Sequence, residues 1–118
     1  MRKVGSVWET VVENHLHGVG LKTLAHNFYS CYGEIDLVMR ERDCIVFVEV
    51  RYRQSPLRGD GIASVGMTKR KKLIRTASMF LRSRPALSNA PCRFDVIGCS
   101  GTPQQPEFDW VRGAFEAY

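Results

Sequence analysis

The sequence predicts an α/β fold in which two helices pack on a mixed sheet. Two segments, 5–17 and 69–83, carry apolar residues at helical spacing, and the segments between and after them are rich in β-branched and aromatic residues. The resulting order is helix, three strands, helix, strand and a short tail, which is typical of helices packed on one sheet. A length of 118 residues predicts a single domain, 1–118, with a core of its own.

The first helix is predicted over 5–17, with its buried stripe formed by Trp8, Val11, Val12 and Leu16. Ser6 is the expected N-cap, and Glu9 lies three positions later, as in a capping box. Glu9 also borders the apolar stripe. The pattern therefore leaves two roles open for Glu9, a capping partner and a site residue.

Strands are predicted over 22–29, 34–39 and 44–52. A two-residue turn at Arg42-Asp43 would join the second and third strands. In that register opposed residues have numbers that sum to 85, so Asp36 faces Glu49 and Glu34 faces Arg51. A slip by one residue would separate the two carboxylates onto opposite faces.

Asp36 and Glu49 stand among apolar residues, where carboxylates are rare unless they are paired or bind a metal. Directly opposed side chains have Cβ atoms about 4.5–5.5 Å apart, so two bare carboxylates would repel each other there. A hard divalent cation relieves the repulsion because it prefers oxygen ligands. The alternative is a set of buried salt bridges to Arg51, Arg53 or Arg93.

The second helix, with Thr68 as its expected cap, begins with a cluster of cations: Lys69, Arg70, Lys71, Lys72 and Arg75. Cations at a helix N-terminus oppose the helix dipole, which favours an anionic ligand at this place. A solvated basic face is the alternative. The preceding segment 54–67 is predicted to be a long loop over the carboxylate site.

The last third of the chain predicts a strand around 94–97 with Asp95 inside it, and a short strand over 108–111. Net charge is +5 with an isoelectric point near 9.3, which favours a polyanionic partner. No apolar run reaches the ~18 residues of a membrane span, and the N-terminus lacks a signal-peptide pattern, so a cytoplasmic protein is expected. The four cysteines are expected to be free thiols.

The pattern Asp36-x₁₂-Glu49-x-Arg51 resembles the motif of the PD-(D/E)xK nuclease superfamily. Five further features extend the resemblance to nearly the whole chain: Gly33-Glu34-Ile35-Asp36-Leu37, Phe47 to Arg53, the lysine-rich helix start at 69–72, Arg93-Phe94-Asp95-Val96 and the closing Ala114-Phe115. Together they resemble the YraN family, a bacterial family similar to Holliday-junction resolvases.

The resemblance implies a restriction-endonuclease-like core of helix, three strands, helix and strand with a mixed central sheet. It also implies a Mg²⁺- or Mn²⁺-dependent endonuclease that acts on DNA, including branched DNA. The implied catalytic residues are Asp36, Glu49, Arg51 and Glu9. The implied metal ligands are Asp36, Glu49, Glu9 and the main-chain carbonyl of Val50, while Glu34 would ligate through water or pair with Arg51.

Arg51 stands where the superfamily has lysine. An arginine keeps the positive charge and can bind a phosphate, but it cannot act as a base. Nothing in the sequence shows whether Lys69 or Lys72 supplies a substitute amine. The resemblance implies flanking phosphate contacts from Arg53, Lys69, Arg70, Lys72 and Arg75.

Two other classes of function remain open. The chain would be a nucleic-acid-binding module without catalysis if the carboxylates were only structural. It would be a protein-interaction module if the long loop and exposed apolar groups served a partner. By analogy with resolvases that cut two strands as a pair, a homodimer is also allowed.

Overall fold

The computed structural model describes residues 4–53 and 65–116, with side chains from residue 7 onward. Its helices are α1 (Val4–Gly18) and α2 (Met67–Ser83), and a short 3₁₀ turn spans Pro85–Leu87. Its strands are β1 (Lys22–Ser30), β2 (Gly33–Glu41), β3 (Cys44–Tyr52), β4 (Cys92–Gly101) and β5 (Pro106–Phe115).

The five strands form one sheet in the order β1-β2-β3-β4-β5. All neighbours are antiparallel except β3 and β4, which are parallel and are joined through α2. The parallel pair needs this crossover because a short hairpin can join only antiparallel strands. The predicted α/β class, the mixed sheet and the order of a restriction-endonuclease-like core are therefore confirmed.

The end of the chain differs from the prediction of a short strand over 108–111. It forms a ten-residue strand, β5, that pairs antiparallel with β4 from Gly101↔Pro106 to Phe94↔Phe115. The strand propensity of this segment is weak, because it contains Asp109, Arg112 and Gly113. Gly113 also has a left-handed φ of 58°. Tertiary pairing with the buried strand β4 overrides that weak propensity.

The two helices cover opposite faces of the sheet. On one face α1 buries its predicted stripe against β2 and β3, and this core contains Trp8, Val12, Leu16, Leu37, Met39, Val46 and Val48. On the other face α2 buries Leu73, Ala77 and Phe80 against Ile35, Val38, Phe47 and Phe94. Full burial of each large apolar side chain contributes about 1.5–3 kcal/mol, so these two layers fix the helices over the sheet.

The β2–β3 hairpin has the predicted two-residue turn at Arg42-Asp43, and its pairs run from Glu41↔Cys44 to Leu37↔Val48. Both pairs sum to 85, so the predicted register is confirmed over this ladder. Arg42 reaches the turn by taking a left-handed conformation, φ 55°. For a residue with a Cβ atom this conformation costs roughly 1 kcal/mol.

Strand β2 kinks at Asp36. Ile35 and Leu37 are two residues apart and should share a face, yet Ile35 belongs to the core under α2 and Leu37 to the core under α1. Beyond Leu37 it is the Asp36 carboxylate that accepts the next N–H of β3, from Val50, at 2.8 Å. The β2–β3 ladder accordingly ends at Leu37↔Val48, so β2 and β3 are no longer paired where Asp36 lies.

Both predicted helix caps are wrong. Helix α1 begins at Val4, so Ser6 lies inside it and Glu9 is not the partner of a capping box. Helix α2 begins at Met67 with Gly66 as its N-cap, and no side chain caps it. Residue type alone suggested Ser6 and Thr68 as N-caps. In the structure each helix begins one or two residues earlier than predicted, at Val4 and at Met67.

The loop predicted over 54–67 falls mostly on residues 54–64, which lie outside the described residues. Its expected position over the carboxylate site therefore stays a prediction. Within the described ranges, neither helix has the length and apolar character needed to cross a membrane.

Candidate metal and nucleic-acid site

Three carboxylates meet where β2 separates from β3. Glu9 comes from α1, and Glu34 and Asp36 come from β2 on either side of the kink. One oxygen from each lies within 4.8 Å of the other two, and all three residues are half-buried. Glu49 of β3 lies close enough for its charge to raise the pKa of Asp36. The site thus contains Asp36, Glu49 and Glu9, as predicted, and Glu34, whose role the sequence left open.

Asp36 has little compensation for a negative charge. Burial is the largest cause that raises the pKa of Asp36, and the neighbouring charge of Glu49 is the next. Together they raise this pKa to about 7. The hydrogen bond from the Val50 N–H acts in the opposite direction but is outweighed. Asp36 therefore keeps its proton to a higher pH than an ordinary aspartate, because burial and the nearby Glu49 charge both disfavour its ionised form.

Asn27 of β1 holds the other two carboxylates. Its Nδ2 donates to Glu9 at 2.9 Å and to Glu34 at 2.6 Å. The pairs His26↔Leu37 and Phe28↔Ile35 place Asn27 opposite Asp36, at the kink. Burial raises the pKa of Glu9, and the Asn27 hydrogen bond only partly offsets that effect.

Sequence reasoning missed Asn27. The available signal was an asparagine inside a strand, where this residue type is depleted. Asn27 has a left-handed φ of 47°, which asparagine tolerates better than most residues. An asparagine in a strand therefore indicated a local irregularity, but not which carboxylates it would bridge.

Glu49 is 5% exposed and lies between two cations. Arg51 Nη2 is 3.2 Å from Glu49 Oε2, and Lys69 Nζ is 3.5 Å from the same oxygen. The salt-bridge alternative is thus correct for Glu49 and Arg51, whereas Arg93 pairs with Glu41 and Asp95. The contact with Lys69 brings an amine from α2 into the site beside Arg51.

The other residues predicted to bind phosphate lie in different parts of the structure. Lys72 lies with Lys69 on a cavity beside Glu34, and the Arg75 guanidinium stands 5.2 Å from the ring centre of Tyr32 at its rim. Arg53 follows directly after β3, and its N–H donates to the Cys99 carbonyl at 2.8 Å.

Arg70 points away from this group. Its Nε donates to the Val65 carbonyl at 2.8 Å, and its guanidinium lies 5.3 Å from the ring centre of Phe115. The structure gives Arg70 a packing role between the start of α2 and the end of β5, and phosphate contact by any of these basic residues stays a prediction.

The donor set fits a hard divalent cation. The oxygens of Glu9, Glu34 and Asp36 are close enough to share one ion, and Mg²⁺ and Mn²⁺ prefer carboxylate oxygen. The raised pKa values of Asp36 and Glu9 show that their negative charges are poorly compensated in the metal-free protein. A direct ligand role for Glu49 or for the Val50 carbonyl remains a prediction.

Comparisons with a family model and with individual proteins indicate the same family. The model of "Uncharacterised protein family UPF0102" matches residues 8–99. A UPF0102 protein of Xanthomonas campestris pv. campestris (strain B100) is 46% identical over 94% of this chain and 89% of its own length. A UPF0102 protein of Xylella fastidiosa (strain 9a5c) is 44% identical over 97% of this chain and 93% of its own length.

A third relative, the UPF0102 protein of Xanthomonas oryzae pv. oryzae (strain PXO99A), is 45% identical over 96% of this chain and 91% of its own length. The matched region includes most of α1, the hairpin, α2 and most of β4, and it contains every carboxylate of the site. This is also the YraN family that the sequence resembles. The chain belongs to family UPF0102.

Proposed function

We propose that this protein is a Mg²⁺- or Mn²⁺-dependent DNA endonuclease of the Holliday-junction-resolvase-like type, acting on branched DNA in the cytoplasm. The observation that carries the proposal is the meeting of Glu9, Glu34 and Asp36 within 4.8 Å, beyond the end of the β2–β3 ladder. This cluster stands next to Glu49, which Arg51 and Lys69 approach to 3.2 and 3.5 Å. Carboxylates for a cation and cations for a phosphate are the two requirements of phosphodiester hydrolysis.

The carboxylates bind the cation in this proposal. Glu9, Glu34 and Asp36 supply the oxygens, with Glu49 and the Val50 carbonyl as additional ligands. A bound divalent ion supplies Lewis-acid stabilisation of phosphoryl oxygens and a water of lowered pKa. Asn27 positions Glu9 and Glu34 by donating to both, so their oxygens stay together although the site is only half-buried.

Arg51 and Lys69 act on the substrate. Arg51 presents a guanidinium that can bind the scissile phosphate through two N–H groups. Lys69 reaches the site from α2 and supplies the compact ammonium that the superfamily motif has at the Arg51 position. In this proposal Arg51 on β3 and Lys69 on α2 together supply the positive charge that the single motif lysine would supply in the superfamily.

Cleavage of a labelled four-way junction and of its linear duplex arms, with Mn²⁺, Mg²⁺ or EDTA, tests the proposal. We expect metal-dependent cleavage that falls at least 100-fold in Asp36→Asn and in Glu49→Gln, because each loses a charge at the site. Glu41→Gln, a carboxylate at the opposite end of the hairpin, is the matched control and should keep full activity. Metal-independent cleavage, or none by pure folded wild-type protein with either metal, would disprove the endonuclease assignment.

The second candidate is a nucleic-acid-binding module without catalysis. The Glu49–Arg51 ion pair favours it, because that contact neutralises one buried carboxylate without any metal. Affinity would then come from the basic face of α2 and would fall steeply with salt. Junction binding without cleavage, unchanged in Asp36→Asn, would select this candidate over the nuclease.

A further inference from the structure

We propose that the cavity between the β1–β2 turn and α2 holds one unpaired nucleotide of the DNA, with its base against Tyr32 and its phosphate at Lys69 and Lys72. The inference rests on the proposed function in taking DNA as the substrate. The cavity has a volume of about 200 Å³ and is lined by Tyr32, Gly33, Glu34, Lys69, Lys72 and Leu73. Pockets for drug-sized ligands measure about 300–1,000 Å³, so this one suits a smaller group such as a single base.

The wall that carries Tyr32 is fixed in place. Ser30 Oγ and Thr76 Oγ1 are 2.7 Å apart and tie the turn to α2, where Thr76 is fully buried. The Tyr32 N–H donates to the same Ser30 hydroxyl at 3.0 Å. A platform held before binding spares the ligand the entropy of ordering it.

The turn presents aromatic surface to solvent. Tyr32 is 40% exposed, and Tyr29, three residues earlier, is 71% exposed. The Arg75 guanidinium lies 5.2 Å from the Tyr32 ring centre, which adds a positive charge to the aromatic surface. An exposed aromatic ring beside cations is the arrangement on which bases of single-stranded nucleic acids stack.

The chemistry of the cavity matches the parts of a nucleotide. Tyr32 offers apolar surface for one face of a base, and the Glu34 carboxylate can accept hydrogen bonds from the N–H groups of the base. Lys69 and Lys72 supply the positive charge for a phosphate. A base within a duplex has its faces stacked and its edge paired, so only an unpaired base can use both the Tyr32 and the Glu34 contacts.

Lys69 links this cavity to the carboxylate site. It lines the cavity and also lies 3.5 Å from Glu49. Glu34 likewise belongs to both, since it lines the cavity and shares Asn27 with Glu9. A nucleotide in the cavity would therefore be next to the phosphodiester at the site, as where paired and unpaired DNA meet in a flap or gap.

Fluorescence titration in EDTA tests the inference apart from cleavage. Two duplexes of equal length carry 2-aminopurine, either paired or opposite a three-nucleotide gap. The gapped duplex has fewer phosphates, so charge alone would not favour its binding. We expect wild-type protein to bind the gapped duplex roughly 5- to 100-fold more tightly, the range for loss of one stacked base, and to quench only the unpaired 2-aminopurine.

The variants assign the preference to Tyr32. Tyr32→Leu should bind both duplexes with the weaker affinity, whereas Tyr32→Phe should keep the preference because it retains the ring. Lys72→Ala should weaken binding of the gapped duplex and lower its salt dependence. Lys22→Ala, an exposed lysine at the far end of β1, is the matched control and should keep the preference of the wild type.

Equal affinity of the wild type for both duplexes, or equal quenching of paired and unpaired 2-aminopurine, would overturn the inference even if Tyr32→Leu failed to fold. An unchanged preference in folded Tyr32→Leu would also overturn it. If the gapped preference holds without cleavage of any junction, the proposed nuclease fails and this inference stands. If junctions are cleaved but Tyr32→Leu keeps its preference for the gapped duplex, the proposed nuclease stands and this inference fails.

Discussion

Two acidic residues on neighbouring parts of the sheet, Asp95 and Asp36, have opposite surroundings. Asp95 of β4 is 1% exposed and surrounded by donors. Arg93 Nε donates to it at 3.0 Å, Trp110 Nε1 at 2.9 Å and the Gly113 N–H at 3.0 Å. A buried carboxylate with this many donors is fully compensated.

Asp36 receives one backbone hydrogen bond, from Val50, and its other close neighbours are the carboxyl groups of Glu49, Glu9 and Glu34. Its pKa therefore rises to about 7. The comparison teaches that burial alone does not distinguish a structural acid from a functional one. The distinction lies in whether the surroundings neutralise the charge or leave it for a ligand.

The largest expected effect comes from exchanging each acid for its isosteric amide. Asp95→Asn should lower the free energy of unfolding by about 3–5 kcal/mol, because it breaks a buried ion pair with Arg93. Asp36→Asn in metal-free protein at pH 7.5 should leave that free energy unchanged or raise it, since a repulsion is removed. Equilibrium urea unfolding measures both, and equal losses in the two variants would invalidate the comparison.

The next effect is stabilisation by metal. At a Mn²⁺ concentration 100 times its Kd, binding to the folded state raises the free energy of unfolding by about 2.7 kcal/mol. We expect this gain in the wild type and its loss in Asp36→Asn, because the variant lacks the charge of one ligand. Glu41→Gln should keep the full gain. Thermal unfolding with and without Mn²⁺ is the measurement, and a gain retained by Asp36→Asn would contradict the metal assignment.

The pH dependence sharpens the comparison further. The ordinary pKa of Asp36 is 3.8, and in the folded protein it is about 7, so the folded state holds a proton that the unfolded state has lost between these values. Stability from this group therefore falls as pH rises from about 4 to about 7. Relative to Asp36→Asn, metal-free wild type should lose about 2 kcal/mol between pH 5 and pH 7. Parallel pH profiles of the two proteins would refute this assignment.

The smallest effect concerns Glu41, the outer partner of Arg93. The pKa of Glu41 is lowered by hydrogen bonds from Arg93 and Arg112, so its contribution is present at neutral pH and is lost as pH falls. Arg112 is half exposed, and such pairs contribute about 0.2–1 kcal/mol. Glu41→Gln should cost no more than this in urea unfolding at pH 7. A loss close to that of Asp95→Asn would show that Arg93 depends on Glu41 to compensate Asp95.

The local pattern predicted much of the fold. Apolar spacing indicated α1 and α2, and β-branched runs indicated the hairpin strands, because both signals act within a few residues. The Arg42-Asp43 turn then predicted the β2–β3 register, since a two-residue turn leaves one way to pair the strands. The prediction was poorer for helix starts and for β5, where long-range pairing outweighs local preference.

The sequence by itself determined which carboxylates are available, that Asp36 and Glu49 come together across the hairpin, and that α2 begins with a basic face. Only the tertiary structure decided that Asn27 bridges Glu9 and Glu34, that Lys69 reaches Glu49, and that Asp95 is enclosed by donors. The physical reason is distance along the chain. These contacts join residues on different elements, and the packing of both helices on a kinked sheet fixes them, whereas a register across a short turn can be counted from the sequence.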